Sequence, residues 1–278
     1  MIQIKKHIVF LIGLLFLIPR VAAEEEGLTH TNVLKVQFGA TYQLDTYLSP
    51  LAYPGWQIGL GNEWWQPFRQ DTRLGKTGRL TNWAHVGRAE VRGFRNINTA
   101  HSNLTYGLEV NGGWGAFYCW HWFDRRLKLI LGPYLETDLT IKYIAVNVNK
   151  PFSLDMAIDM MAMSGLSWSF YGKKTSYLIN YMIRTNLIGL DFLPDYWESY
   201  YELSQGVKGQ PRCSGHWNHH SLKHELTMDM QFPHSTWRIG VEHDYLNYGT
   251  KHMSFVRNQV NLIVGCIWNY RIKANNRL

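Results

Sequence analysis

The chain has 278 residues, of which 46% are hydrophobic and 14% aromatic, and its formal net charge is +7. This length allows one large domain or two small ones, and no linker, low-complexity tract or change in composition divides it. Basic and acidic residues alternate along the chain and do not cluster with aromatic residues, which argues against a nucleic-acid-binding protein.

The first predicted element is an N-terminal targeting segment. Two lysines precede an apolar run at residues 8–18, and Val21-Ala22-Ala23 stands just before three glutamates. This pattern predicts a secretory signal peptide at residues 1–23, which leaves a mature domain of residues 24–278. The apolar run is shorter than the roughly 20 residues that a transmembrane helix needs.

Ten segments of alternating apolar and polar residues follow the signal peptide. In the clearest of them, Leu104–Trp120, the apolar side chains occupy every second position over most of the length. Only a β-strand places alternate residues on opposite faces. The pattern therefore predicts an all-β fold, an antiparallel transmembrane β-barrel of about ten strands. The predicted strands are Lys35–Leu44, Trp56–Trp65, Trp83–Phe94, Leu104–Trp120, Leu127–Ala145, Leu154–Phe170, Tyr177–Leu190, Ser221–Phe232, Trp237–Leu246 and Val256–Ile272.

The connections between these strands alternate in length, as in bacterial outer-membrane barrels with short periplasmic turns and long outer loops. The connection Gln66–Arg79 is an exception, because it is long on the predicted periplasmic side. Aromatic residues flank the short turns and predict a girdle at the membrane boundary. The aromatic core of a soluble sandwich is the alternative. The basic turn residues Arg125, Arg126, Lys173 and Lys174 are either contacts for anionic periplasmic groups or solvated turns.

Alternation also predicts which charged side chains point into the barrel. A barrel of about ten strands is filled by its own side chains, and buried charges must be paired. We therefore expect a lumen ionic network, with a narrow ion or small-solute channel as the alternative. The network is predicted from Glu90, Arg92, Glu109, Glu136, Asp138, Lys142, Asp159, Arg184, Glu225, Asp229, Arg238, Glu242 and Arg257. The same alternation predicts that further charged side chains point inward, namely Lys35, Glu63, Arg88, Lys128, Asp155, Lys223, Asp244 and Arg271.

A cluster of metal-ligating residue types stands where the longest loop enters a strand. Imidazole and thiolate together suit zinc, but the spacing matches no common zinc motif. Alternation also places His219 and His220 on opposite faces. The weak metal candidates are Cys213, His216, His219, His220 and His224. Polar histidines at the rim of the barrel are the simpler interpretation, and no cofactor is predicted.

Two further patterns touch on enzyme chemistry. His219 and Ser221 share one strand face, as a Ser–His hydrolase requires, but this is the predicted lumen face and not the lipid face. His243-Asp244 is the nearest match to the rim residues of an omptin-like protease, yet neighbouring strand residues point apart. No catalytic residue is predicted, and an outer-membrane hydrolase or protease stays an alternative.

Two local features carry structural expectations. Pro133 lacks an N–H group inside a closed barrel, so we expect a β-bulge there, eased by Gly132. The cysteines Cys119, Cys213 and Cys266 fall on different faces or ends of the predicted barrel, too far apart for a disulfide. We therefore expect three free thiols.

The stretch Asp45–Trp56 reads DTYLSPLAYPGW. It resembles the signature of an uncharacterised outer-membrane β-barrel family from Bacteroidetes, a domain of unknown function. Pro50, Pro54 and Gly55 suit a tight outer loop. The resemblance implies the barrel fold and the bacterial cell outer membrane, and it transfers no catalytic residue. The sequence thus predicts a small barrel in outer-membrane lipid with a structural or ligand-binding role, its ligand and oligomeric state left open.

Overall fold

The computed structural model describes residues 29–46, 49–69, 80–123, 126–144, 152–172, 175–192, 212–249 and 254–271. The predicted signal peptide lies outside the described residues, as do most of the long connection at 66–79 and most of the loop after the seventh strand. Among the described residues, no helix is long and apolar enough to span a bilayer.

The described part of the chain consists of β-strands and their connections. The ten predicted strands are all present, most of them extended at one or both ends, and a short eleventh strand, β8, precedes β9. The strands are β1 (Thr29–Asp45), β2 (Ala52–Arg69), β3 (Leu80–Ile97), β4 (Leu104–Trp122), β5 (Leu127–Ile144), β6 (Phe152–Tyr171), β7 (Ser176–Phe192), β8 (Arg212–Gly215), β9 (His219–Gln231), β10 (Thr236–Gly249) and β11 (Ser254–Arg271).

The ten long strands form a closed antiparallel barrel. Each pairs with its neighbours in sequence, β6 pairs with β7, and β1 pairs with both β2 and β11. Closure removes the unpaired edges that a sheet would otherwise expose. The predicted fold class is therefore confirmed. We call the end with the short connections at 123–126, 172–175 and 232–235 the turn end, and the opposite end the loop end.

The outward face is apolar in the middle and aromatic at both ends. Phe38 and Leu262, for example, are 57% and 61% exposed. The sequence indicated the aromatic girdle at the turn end, where Trp83, Trp120, Trp122 and Trp168 are exposed. The structure adds a second ring toward the loop end, formed by Tyr42, Trp56, Tyr106, Tyr143 and Phe152.

The inward face is divided into layers. Toward the turn end it is apolar, and this cluster closes the space between β3 and β7. Its buried members are Val86, Phe117, Cys119, Ile130, Tyr134, Met161, Met163 and Met182. A smaller apolar group, Leu246, Tyr248 and Phe255, lies near the loop end. Charged and amide side chains fill the middle layer.

Two glycines of β2 make room for this charged layer. A Cβ atom at Gly59 would lie 2.7 Å from Cγ of Arg92, and one at Gly61 would lie 2.9 Å from Cε of Lys35. Both distances are shorter than nonbonded carbon atoms tolerate. The long side chains of Arg92 and Lys35 therefore pass directly over the glycine backbone of β2, the strand next to their own.

The expected bulge at Pro133 is absent. The β4–β5 ladder keeps one register on both sides of it, pairing Gly115 with Tyr134 and Tyr118 with Leu131. The chain accommodates the missing N–H group by skipping pairs instead of inserting a residue. The register shifts in the β6–β7 ladder instead, where Met160 pairs with Ile188 and Met161 with Asn186, which leaves Leu187 as the extra residue.

The three cysteines are free thiols, as the sequence predicts. Cys119 and Cys266 are buried, whereas Cys213 is exposed.

The glycine requirement in β2 is testable by adding a single methyl group. Gly59→Ala should lower the free energy of unfolding by about 1–3 kcal/mol, because the added Cβ meets Arg92 in a filled lumen. Gly93→Ala is the matched control, since a Cβ there meets nothing within 4 Å. Urea unfolding of the protein in lipid vesicles measures both. Equal losses in the two variants would contradict this account of the lumen.

Candidate functional site in the barrel lumen

Arg92 contacts side chains of several other strands inside the lumen. Its Nη2 lies 2.5 Å from Glu90 on the same strand and also contacts Glu242 on β10, across the interior. Its Nε donates a hydrogen bond to Gln37 at 2.9 Å, and its Nη1 donates one to Gln259 at 3.2 Å. One guanidinium thus ties strand β3 to strands on the far side of the barrel.

Arg257 makes a second set of contacts across the lumen. Its Nη2 lies 2.7 Å from Asp138 on β5, which stands opposite β11 in the strand order. Its Nη1 lies 3.2 Å from Glu109 and its Nη2 3.6 Å from Asp244. Arg92 also faces these two carboxylates, at 3.6 and 3.5 Å, so the two arginines share them.

Arg88 and Arg238 extend the network toward the turn end. Arg88 lies 2.6 Å from both Glu63 and Glu225. Arg238 reaches Glu63 at 2.9 Å and Asp229 at 2.6 Å. Glu63 therefore bridges two guanidiniums and links β2, β3 and β10.

Two lysines join these parts. Lys35 lies 2.5 Å from Glu90 and 3.8 Å from Glu225, which connects the Arg92 and Arg88 contacts. Lys223 contacts Glu136 on β5, and it lies 3.3 Å from Asp244, which Arg92 and Arg257 also face. The result is one connected set of ion pairs, which we call the lumen network.

A cavity of about 10 Å³ lies inside this network. That volume holds about one water molecule. Arg184 lines it, donating a hydrogen bond to Glu136 at 3.0 Å, with its guanidinium 5.3 Å from the ring centroid of Tyr134. Arg88, Arg92 and Lys223 line it as well. The described side chains thus fill this part of the lumen.

Two residues of the predicted network stand apart from it. Lys142 lies 2.5 Å from Asp45, contacts Asp155 as well, and its Nζ is 4.0 Å from the ring centroid of Phe255. Asp159 faces His219 at 3.5 Å. The structure connects the other predicted members, Glu90, Arg92, Glu109, Glu136, Asp138, Arg184, Glu225, Asp229, Arg238, Glu242 and Arg257, in the lumen network.

The sequence pattern assigns one buried carboxylate of the lumen, Asp45, to a loop. The sequence pattern ends the first strand at Leu44 and places Asp45 in the loop, whereas β1 extends through Asp45 and its side chain is buried beside Lys142. The alternation Thr41, Gln43, Asp45 continues the inward parity and is the signal that could have found it.

The metal candidates separate onto different faces of the wall. His219 is buried inside, whereas the rings of His216 and His220 pack edge to face with centroids 4.8 Å apart. His224 accepts or donates a hydrogen bond with Tyr181 at 2.8 Å. Among the residues that the structure describes, no group of three or more His, Cys, Asp or Glu side chains could hold a metal ion.

The two weak enzyme patterns differ in outcome: His219 and Ser221 are both buried on the lumen face, whereas His243 and Asp244 separate. His243 points outward, where its ring meets the side chain of Asn258 at 3.0 Å, and Asp244 points into the lumen beside Lys223. Adjacent strand residues thus lie on opposite faces and cannot act on one substrate.

The lumen network predicts an unequal cost for removing two arginines of the same strand. Arg88→Met should destabilise the barrel by about 3–5 kcal/mol, because Glu63 and Glu225 lose a buried counter-charge. Arg95→Met is the control, since Arg95 is exposed on the outward face, and it should change stability by less than about 0.5 kcal/mol. Urea titration in lipid vesicles compares them. A small effect at Arg88 would contradict the pairing.

Comparison with known proteins gives a family but no activity. The family model described as "Protein of unknown function (DUF3316)" matches residues 8–274. No curated protein matches the sequence.

Among solved structures, the transport unit of the autotransporter AIDA-I from Escherichia coli is 7% identical, with a TM-score of 0.44 over 92% of this chain and 94% of that chain. The outer membrane protease OmpT from Escherichia coli is 7% identical, with a TM-score of 0.41 over 90% and 99%. The beta domain of the Bordetella autotransporter BrkA is 8% identical, with a TM-score of 0.40 over 87% and 100%. Similarity of this extent says nothing about activity.

Proposed function

The chain belongs to the DUF3316 family of proteins of unknown function, and we propose that it is a bacterial outer-membrane β-barrel with a closed lumen and a structural or ligand-binding role. The proposal includes export by a signal peptide cleaved after Ala23. It also includes an origin in Bacteroidetes, which rests on the resemblance of residues 45–56.

The outward face supports a membrane location. An apolar band between two aromatic rings matches the hydrocarbon layer and its two polar boundaries. Turning the barrel wall inside out would place Glu109 and Arg92 in lipid, and an Arg at the bilayer midplane costs about 2–4 kcal/mol. The surrounding partner is therefore outer-membrane lipid. Contacts of anionic periplasmic groups with the basic turns are also part of the proposal.

The contacts of Arg257 with Asp138 and of Arg92 with Glu242 carry the proposal of a closed lumen. Each pair joins strands on different sides of the barrel, so together they occupy its cross-section. Ion passage would require water-filled space along this path. The apolar cluster toward the turn end fills the next layer. The structure therefore favours a filled barrel over the narrow channel that its charges also suggested.

A closed barrel leaves its ends as the surfaces available for function. The loop end carries the long connections, and such loops commonly hold binding residues on a rigid scaffold. The enzyme patterns of the sequence are not assembled on the lipid face, because His219 and Ser221 are buried in the lumen and Asp244 points inward. A structural or ligand-binding role thus accounts for the features of this chain with fewer assumptions than an enzyme does.

Planar-bilayer recording tests the closed lumen. The refolded mature protein should be silent, because ion pairs of the described residues join opposite sides of the lumen. Arg92→Ala should admit brief openings selective for cations, since it removes a basic side chain from among four carboxylates.

Arg95→Ala, on the same strand but exposed outside, is the control and should stay silent. Folding of every variant is checked by its heat-dependent migration on a gel. Steady openings of the unmodified protein would refute the closed lumen and favour the channel.

A further inference from the structure

A second polar cluster lies toward the loop end of the lumen, apart from the lumen network. Asp159 on β6 pairs with Gly189 on β7, and Gly189 pairs with Ser214 on β8. These three residues therefore lie side by side across three strands. His219, at the start of β9, faces Asp159 with its Nδ1 3.5 Å from Oδ1. We call Asp159, Ser214 and His219 the His219 cluster.

Gly189 gives the cluster its shape. A Cβ atom at this position would lie 2.1 Å from Oδ1 of Asp159. The carboxylate of Asp159 therefore extends over the bare backbone of β7, toward β8 and β9. Any larger residue at position 189 would push the carboxylate away from His219.

The cluster is buried but its polar atoms are unsatisfied. Ser214 and His219 are 0% exposed, and Asp159 is 6% exposed. Among the residues that the structure describes, Oδ1 of Asp159 and both ring nitrogens of His219 have no hydrogen-bond partner, and the hydroxyl of Ser214, which donates toward Asp191, can still accept a hydrogen bond. Buried polar groups are nearly always paired, so these atoms call for a bound water or ligand.

Asp159 brings a carboxyl group to the cluster. The neighbouring basic side chains are engaged elsewhere: Lys223 with Glu136 and Asp244, and Arg184 with Glu136. On the loop side, the buried carboxylate of Asp191 lies near Ser214, opposite Arg212. The site therefore presents hydrogen-bond acceptors and the carboxyl group of Asp159, whose ion-pair partner among the described residues is His219.

The barrel wall beside the cluster is irregular. The β7–β9 ladder ends at Thr185 and Leu222, one residue before Asn186. The side chain of Asn186 then replaces main-chain pairing, donating to the carbonyl of His219 at 2.5 Å and accepting from the N–H of Ser221 at 2.9 Å. Side-chain hydrogen bonds of Asn186 thus take the place of main-chain pairing between β7 and β9 beside the cluster.

We propose that the His219 cluster binds the protonated primary amine of a small solute. An ammonium group carries three donors and no acceptor. The cluster offers three kinds of acceptor on three strands: the Asp159 carboxylate, the Ser214 hydroxyl and a nitrogen of the neutral His219 imidazole. A bound ammonium favours ionisation of the Asp159 carboxyl group, which then supplies the opposite charge. No set of metal ligands competes for this place among the described residues.

This site names a chemical class of ligand for the ligand-binding role proposed above, and it rests on that proposed function. Isothermal titration of the refolded mature protein with ethylammonium chloride tests it, against sodium chloride at the same ionic strength. Ethylammonium should bind, and tetramethylammonium, which has the same charge but no N–H donor, should not.

Three variants assign the binding to the cluster. Ser214→Ala should weaken binding about tenfold, because it removes a hydrogen bond from a charged donor, and Asp159→Asn should weaken it more than tenfold, because it also removes the opposite charge. Thr227→Val, a buried change farther along β9, is the control and should bind as the unmodified protein does. Heat-dependent gel migration confirms folding, and Ser214→Ala decides the matter if Asp159→Asn does not fold.

The absence of binding by the folded protein, or equal binding of tetramethylammonium, would overturn the site and assign the unsatisfied atoms to water. Unchanged binding in Ser214→Ala would also overturn it. Conductance separates this outcome from failure of the closed lumen: a silent barrel that does not bind ethylammonium refutes the site alone.

Discussion

The pairing of charges inside a closed barrel is the constraint on which the rest of this structure depends. Alternation along each strand forces every second side chain inward, and closure removes most of those side chains from bulk water. A charge so placed is tolerated only with a counter-charge and hydrogen bonds. Arg92 and Arg257 meet this requirement by sharing Glu109 and Asp244. These long side chains need space, and this need accounts for the glycines of β2, the position of the apolar cluster and the filled lumen.

The same constraint separates the two polar regions of the interior. In the lumen network, arginine donors reach carboxylates on several strands, so the charges offset one another locally. Toward the loop end, Lys142 is shared by Asp45 and Asp155, and Asp159 faces His219. The lumen network fills the interior with paired charges, whereas the His219 cluster retains hydrogen-bond acceptors that are not used. A structural interior and a site for a ligand can thus coexist in one barrel.

The fold could be predicted from sequence because a period of two needs no knowledge of distant contacts. The alternation from Leu104 to Trp120 already identifies β4, its inward face and the position of Glu109. The partners of that face were beyond sequence reasoning, since the contact between Arg257 and Asp138 depends on the strand order and on the barrel's width. The bulge expected at Pro133 shows the same limit of prediction from sequence. Pro133 shows in the sequence that a main-chain N–H group is missing from the ladder. The register shift nevertheless lies at Leu187, and nothing in the surrounding sequence indicates it. The His219 cluster was likewise hidden, because Gly189 and Ser214 meet only through β8, a strand too short to show a period.

The most direct test of the account is a double-mutant cycle on Arg257 and Asp138, measured as the free energy of unfolding in lipid vesicles. Arg257→Met, Asp138→Asn and the double variant should give an interaction energy of about 1–3 kcal/mol, because the two side chains meet across the lumen at 2.7 Å. Losses that add within about 0.5 kcal/mol would show that the two charges are independent. The lumen would then be solvated, and the closed barrel described above would be wrong.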